Sequence, residues 1–403
     1  MGRHWAIFTT NESNKKGFLK LLVQGKIDEL EIDLSRPALY SRAQILKAIQ
    51  EEEIHDDPTY LKAYGQSLGS MSSGERKKRF LEQLLSQNIS CLILDNPFDH
   101  LDLEGQQALR QQLETLEKTP TICLLSRRSD ALSITTNTAL LENTSLIEAP
   151  EEREPQFVWT SPLPKPIHSP APFKSLFAFK NVNVAYEDKP VLQDISWEVK
   201  QGEFWQLKGP NGSGKSTILS MVSGDNPKGY GQELYLFGHK KGSGESVWEL
   251  KKHIGYFTPS LLDSFKGYHT LENMIVSGLT DSIGLYTRPK DTQIRKAKEW
   301  LSFLGLADKA ERYFHELSLG YKHLIMIARA MTKHPPLLIL DEPTAGLDDE
   351  SCRLFTSMVN KISAESDTTI VFVSHRNEPG LAPKKIYELT PGPSGATGKT
   401  TLV

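Results

Sequence analysis

The chain has 403 residues, enough for two domains of ordinary size, and 38% hydrophobic with 24% charged residues is a globular composition. Lys and Arg number 47 against 50 Asp and Glu, and the net charge of −3 argues against a chain built mainly to grip nucleic acid. Three cysteines without metal-ligand or redox spacing suit a reducing cytoplasm, and no apolar run approaches the ~20 residues that span a bilayer.

Near the N-terminus, Trp5-Ala-Ile-Phe reads as a short apolar strand running into Thr9-Thr-Asn-Glu-Ser-Asn-Lys15-Lys16. Gly74–Leu85 has the pattern of an amphipathic helix, and Cys91-Leu-Ile-Leu-Asp95-Asn96 that of a buried strand ending in one acid. Cys91 and Cys123 fit such strands as small packing residues. Residues 149–174 carry Pro150, Pro155, Pro162, Pro164, Pro166, Pro170 and Pro172, a density that disfavours helix and central strand. The expectation is an extended, semi-rigid connector between a domain at 1–148 and a larger one at 175–403.

In the second half the apolar strand Phe204–Leu207 leads into Gly209-Pro-Asn-Gly-Ser-Gly214-Lys215-Ser216-Thr217, which opens a helix over Ser216–Val222. This is a complete G-x-x-x-x-G-K-[ST] loop in its required strand-to-helix setting. Its glycines let successive backbone N–H groups turn inward, so Gly209, Pro210, Asn211, Gly212, Ser213, Gly214, Lys215, Ser216 and Thr217 form a candidate phosphate cradle. Lys215 is expected to reach the β- and γ-phosphates and Ser216 to ligate Mg²⁺. Residues 267–306 read as a small helical insertion and Tyr321–Met331 as an amphipathic helix. The strand Leu337–Leu340 then ends in Asp341, a candidate Mg²⁺ ligand, and Glu342, placed to polarise an attacking water. Thr369–Val373 ends in Ser374-His375, where the histidine is either a γ-phosphate contact or a plain surface residue. Gly395-Ala-Thr-Gly-Lys-Thr-Thr401 imitates a phosphate loop, but Pro393 holds the first glycine position, and it reads as a flexible tail.

The two halves repeat. Trp5 through Lys15 aligns with Trp205 through Lys215, and Cys91-Leu-Ile-Leu-Asp95 with Leu337-Leu-Ile-Leu-Asp341, so the spacing grows from 200 to 246 residues. Strands alternating with helices predict an α/β fold, two tandem domains each with a mainly parallel sheet covered on both faces.

These motifs resemble the ATP-binding cassette (ABC) ATPases, a family within the P-loop NTPases whose cassettes carry a helical subdomain. The marker is the signature segment, Met71-Ser72-Ser73-Gly74-Glu75 in the first half and Leu317-Ser-Leu-Gly-Tyr321 in the second. Gly346-Leu-Asp348 and His100-Leu-Asp102 match the family's turn after the acids. Tyr186 matches the aromatic on which members stack adenine, against the alternative of an ordinary strand-surface tyrosine. Within the family, Ser277–Tyr286 and the tryptophan before each loop are similar to the ModF-type tandem proteins.

The resemblance implies head-to-tail pairing of the two halves, with ATP between the phosphate loop of one and the signature of the other. Most defects then fall on one composite site. The first loop lacks all three glycines and the Mg²⁺-binding hydroxyl, Asn96 replaces the second acid, and Arg127 replaces the histidine. The signature with Tyr321 is eroded as well, and the first half is shortened and degenerate. The other composite site combines Tyr186, the complete loop, Asp341, Glu342 and His375 with Ser72, Ser73, Gly74 and Glu75. Its one departure is Pro259, where members carry a glutamine linked to a membrane partner. The function implied is Mg²⁺-dependent ATP hydrolysis, either as the peripheral ATPase of a separate membrane permease at the inner membrane face, or as a soluble regulatory or translation-associated ATPase without a permease. A nucleotide-gated binding module with little turnover is a further class, and Glu342 speaks against it.

Overall fold

The computed structural model describes residues 3–55, 63–150, 157, 159–166, 172–376 and 378–403. It divides into two compact units, Met1–Pro155 with Gly346–Glu350, and Gln156–Ala345 with Ser351–Val403.

Unit one contains β1 (His4–Thr9), α1 (Lys15–Val23), β2 (Pro37–Tyr40), α2 (Arg42–His55), α3 (Ser73–Leu85), β3 (Cys91–Asp95), α4 (Leu103–Glu114), β4 (Thr121–Leu125), β5 (Asn137–Glu142) and β6 (Ser145–Glu148). The strands form one sheet in the order β2-β3-β4-β1-β5-β6, parallel except for the β5–β6 hairpin. A strand turns successive side chains to opposite faces, and β3 shows the consequence. Leu92 and Leu94 join a core with Phe98, Leu81 and Leu113, whereas Cys91 and Ile93 join a second core with Phe18 and Leu22. A parallel strand buried on both faces has to be apolar at every position, which is why Cys-Leu-Ile-Leu reads as a continuous run. Cys91 and Cys123 are packing groups as expected, and burial pushes both thiols up to about 12.

Unit two contains β7 (Phe177–Tyr186), β8 (Lys189–Val199), β9 (Phe204–Lys208), α5 (Lys215–Val222), β10 (Leu234–Leu236), β11 (His239–Lys240), α6 (Val247–Lys252), β12 (Ile254–Phe257), α7 (Leu271–Ser277), α8 (Asp291–Phe303), α9 (Leu319–Met331), β13 (Leu337–Asp341), α10 (Asp349–Glu365, from Ser351 onward), β14 (Thr369–Val373), β15 (Lys385–Thr390) and β16 (Thr397–Leu402). Its large sheet runs β12-β13-β14-β9-β15-β16, the same strand order, position for position, as the sheet of unit one. A four-stranded antiparallel sheet, β11-β10-β7-β8, packs on it through a core of Phe177, Trp197, Ile218, Leu207 and Val373. The insertion at 267–306 is α7 and α8, and α9 packs on α7 with ten of its thirteen residues buried.

One expectation needs correction. The segment ending Thr397–Leu402 is not a flexible tail but a strand paired antiparallel with β15 over six residue pairs. Its side chains are mostly exposed, so backbone hydrogen bonds rather than apolar burial hold it, and it carries no hydrophobic signal. Gly398 is required there, because a Cβ would sit 2.1 Å from the Tyr387 hydroxyl. Part of the connector makes contacts within unit two. Its residues 151–156, 158 and 167–171 lie outside the described residues, but Trp159 stacks on Phe303 of α8 and donates from Nε1 to Ser357 of α10 (2.9 Å). Lys361 donates to the Trp159 carbonyl, Lys296 to that of Lys165, and Pro164 is buried.

Candidate functional site

The phosphate loop of unit two leaves β9 at Lys208 and enters α5 at Lys215. Gly214 caps α5 in the left-handed region (φ 89°), where a Cβ would also fall 2.5 Å from Leu192 of β8. Gly209 is constrained both by its φ of 153° and by approach, since a Cβ would meet Ser213 Oγ at 2.6 Å. With no side chain at these points the loop closes around the Lys215 ammonium, which donates to the carbonyls of Gly209 (2.7 Å) and Pro210 (2.9 Å). Ser213 Oγ is buried without a hydrogen-bond partner. Asn211, Gly212 and Ser216 are exposed, and Thr217 is half-buried in the first turn of the helix.

β13 and β14 are adjacent parallel strands, and their C-terminal ends present Asp341, Glu342 and His375. Glu342 sits at φ 50°, a left-handed conformation that turns the chain sharply after the strand. Its N–H donates to Val373 O (2.9 Å), and its carboxylate meets His375 Nδ1 at 2.9–3.0 Å. His375 Nε2 is buried without a partner. Burial holds the Asp341 carboxyl above the usual carboxylate range and the Glu342 charge adds to it, while the Tyr256 hydroxyl and the Lys215 ammonium pull the other way. Lys215, Asp341, Glu342 and His375 therefore form one electrostatic cluster.

Tyr186, at the end of β7, has its hydroxyl held by Asn226 Nδ2 (2.8 Å), and Asn226 also donates to Ser220 Oγ on α5 (3.0 Å). The ring is partly exposed, with Lys228 Nζ 5.6 Å from its centre. Two contributors were missed in the sequence. Asn226 tethers Tyr186 to the phosphate-loop helix, and Tyr256 donates its hydroxyl to Asp341 Oδ2 (3.1 Å). Tyr256 lies in the apolar run of β12 and reads there as core; Asn226 carries a turn signal and nothing more specific.

The signature residues of unit one open α3. Ser72 Oγ accepts from Glu75 N–H (3.3 Å) and Glu75 accepts from Ser72 N–H (3.1 Å), a reciprocal cap. The hydrogen bonds from Ser72 lower the Glu75 pKa. A Cβ on Gly74 would meet no neighbour within 4 Å, and the side chain of Ser73 lies outside the described residues.

The first loop is built differently. Asn14, at the position of Gly214, is an ordinary side-chain cap accepting from Gly17 N–H (3.0 Å). Lys15 Nζ forms an ion pair with Asp95 (2.7 Å). Asn96 and Ser126 exchange two hydrogen bonds of 2.8 Å. Asn11 N–H donates to the Asp348 carboxylate (2.6 Å), and Arg127 Nε donates to the Leu347 carbonyl (2.8 Å), both acceptors belonging to the Gly346–Glu350 segment of unit one.

Among the described residues no cluster of three or more His, Cys, Asp or Glu could hold a metal ion, and no helix is long and apolar enough to cross a membrane. The ABC transporter family model matches residues 192–345. The chain is 34% identical over 399 residues to the ABC transporter ATP-binding protein ModF of Escherichia coli, covering 89% of this chain and 79% of that one. It is 29% identical to an uncharacterised ABC transporter ATP-binding protein of Schizosaccharomyces pombe, over 77% of this chain and 66% of the other. A solved ATP-binding cassette of an ABC transporter, in its ADP conformation, is 23% identical with a TM-score of 0.49, over 57% of this chain and 91% of its own. A complete phosphate loop, two acids at the end of the adjacent strand and this likeness to ModF lead to one assignment: the chain belongs to the ABC transporter ATP-binding proteins.

Proposed function

We propose that the second cassette binds ATP with Mg²⁺ and hydrolyses it, as the ATPase component of a transport system, and that the tandem chain has one competent and one degenerate composite site. The observation that carries this reading is the Glu342–His375 pair beside Asp341 and Lys215. A carboxylate held by a histidine at the end of a central strand is placed to orient and polarise a water. Two buried polar atoms, Ser213 Oγ of the loop after β9 and His375 Nε2 after β14, are without protein partners, and both suit phosphate oxygens. In its imidazolium form His375 donates from both nitrogens, to Glu342 and to a phosphate.

The residues present fit Mg²⁺. Ser216 and Asp341 would hold it, a hydroxyl and a carboxylate being the oxygen donors it takes, with phosphates and water completing the shell. When bound, the ion neutralises charge on the β- and γ-phosphate oxygens. Tyr186 would stack on adenine, its ring fixed by Asn226. The contribution of Ser72, Ser73, Gly74 and Glu75 to the competent composite site, by head-to-tail pairing of the halves, rests on the way motif defects are distributed in the sequence.

Pro259 favours a second reading, a regulatory or translation-associated ABC ATPase without a permease. It opens a 3-10 turn over Pro259–Ser264 and brings no side-chain donor where family members carry glutamine. Glu342→Gln separates the possibilities. The variant should retain ATP while turnover falls about 10²–10⁴-fold, the usual worth of a positioned general base; wild-type turnover in the variant would overturn the hydrolytic assignment. Captured from cells on this ATP-holding variant, a polytopic membrane protein supports the transport role and a place at the inner membrane face. Recovery of soluble partners without one supports the alternative.

A further inference from the structure

The Glu342–His375 contact joins two loops from different strands, which the Glu342 N–H to Val373 O bond ties at the strand ends and His323 Nδ1 holds at the Pro343 carbonyl (2.7 Å). The turn 342–345 follows β13, and residues 374–376 and 378–380 follow β14. Glu378, three residues beyond His375, is buried at 7% exposure, and its carboxylate reaches back across this gap. Its Oε1 accepts from the Thr344 hydroxyl (2.5 Å), two residues after Glu342, and its Oε2 accepts from the Cys352 thiol on α10 (2.9 Å). Thr344 and Cys352 are themselves buried.

A carboxylate taken out of water is costly unless its oxygens are satisfied, and buried donors meet both oxygens of Glu378. The far end of the same loop is held by neutral groups. Thr356 Oγ1 donates to Pro379 O (3.3 Å) and Asn360 Nδ2 to Gly380 O (2.6 Å). The charged group is kept for the end nearest the cluster. Resting on the hydrolytic reading above, we propose that Glu378 is a positioning residue for ATP hydrolysis. Through Thr344 and Cys352 it locks the His375 loop against the Glu342 turn and so fixes the angle at which His375 holds the water-polarising carboxylate.

The test uses the full chain with ATP turnover, affinity for a non-hydrolysable ATP analogue and thermal melting measured side by side. Glu378→Ala and Thr344→Val should each lower kcat about tenfold to a hundredfold, the scale set by a misplacement of about 1 Å, with KM and analogue affinity within about twofold. Thr344→Ser and Glu378→Gln, which keep the hydroxyl and its acceptor, should recover most of the rate. The double variant Glu378→Ala/Thr344→Val should be no slower than the worse single variant, because both break one link. Full kcat in a folded Glu378→Ala chain overturns the proposal, as does a loss shared equally by kcat, analogue affinity and melting temperature. If Glu378→Ala does not fold, Thr344→Val against Thr344→Ser decides alone, and equal rates overturn the proposal. Should wild-type chain itself fail to hydrolyse ATP, the hydrolytic reading falls first; should only Glu378→Ala run at full rate, that reading stands without this one.

Discussion

Lys15 and Lys215 occupy equivalent places, each the first residue of the helix after the strand at position four of a six-stranded sheet, yet they make different hydrogen bonds and ion pairs. Lys15 is ion-paired with Asp95, whereas Lys215 is held by two neutral carbonyls. Lys215 also lies close enough to Asp341 to lower its pKa, whereas Lys15 is held in a direct ion pair that a phosphate would have to displace. The rest of each loop follows suit. Around Lys215, glycines open the backbone and leave Ser213 Oγ unpartnered, while around Lys15 side chains satisfy the backbone, Asn14 bonding Gly17 N–H and Asp348 bonding Asn11 N–H. The same strand order therefore supports a glycine-opened loop in unit two and a turn closed by side-chain hydrogen bonds in unit one.

The largest expected effect tests this contrast directly. Lys215→Ala should lower ATP turnover by about 10³-fold or more, the scale on which removal of a positioned cation acts in phosphoryl transfer. Lys15→Ala should leave turnover within about twofold, and equal losses in the two variants would erase the distinction. Equilibrium binding of a radiolabelled non-hydrolysable ATP analogue sharpens the same point, with one equivalent per chain expected in wild type and no detectable binding in Lys215→Ala. Two equivalents in wild type would mean that the Lys15–Asp95 pair opens for nucleotide.

Helix caps give the next effect in size. Gly214→Ala forces an L side chain into φ 89° against Leu192, and the left-handed conformation alone costs about 1–2 kcal/mol. Asn14→Ala removes a side-chain cap worth about 0.5–2 kcal/mol without strain. Both should appear in denaturant melts, but only Gly214→Ala should also reduce ATP binding. If Asn14→Ala reduced it too, the first loop would be part of a nucleotide site.

Much of this contrast was written in the residues. Cys-Leu-Ile-Leu and Leu-Leu-Ile-Leu announce central parallel strands because burial on both faces admits apolar side chains alone, and the phosphate loop is legible because glycine at fixed spacing is what a backbone cradle needs. What escaped notice was held by polar or backbone contacts between distant segments. β16, Thr-Gly-Lys-Thr-Thr-Leu, pairs through its backbone and buries little, so periodicity is silent, although its three threonines favour a strand. The antiparallel sheet built around the β7–β8 pair was absorbed into the expectation of a parallel domain. Tyr256, Asn226 and Glu378 act through hydrogen bonds spanning 85, 40 and 34 residues, and spacing in a single sequence does not encode which partner they find.

The smallest effect expected concerns Asp341, whose surroundings suit a bound cation better than they suit the empty chain. Burial and the Glu342 charge raise its pKa in the folded state above the unfolded value. An acid shifted in that direction favours folding while protonated, so its stabilising contribution is present below the unfolded pKa and is lost as pH rises through the folded one. The ionised carboxylate is thus the form that the folded chain favours less. Without nucleotide or Mg²⁺, Asp341→Asn should raise the melting temperature by about 2–4 °C at pH 7, the shift that about 1 kcal/mol produces in a domain of this size. The gain should shrink as pH falls through the carboxylate range, and ATP with Mg²⁺ should reverse the order, stabilising wild type more than the variant. Asp95 is ion-paired with Lys15 in unit one, and Asp95→Asn, which breaks that pair, should lower the melting temperature. A stabilising Asp95→Asn would mean that the first loop still carries the unspent charge of a phosphate site.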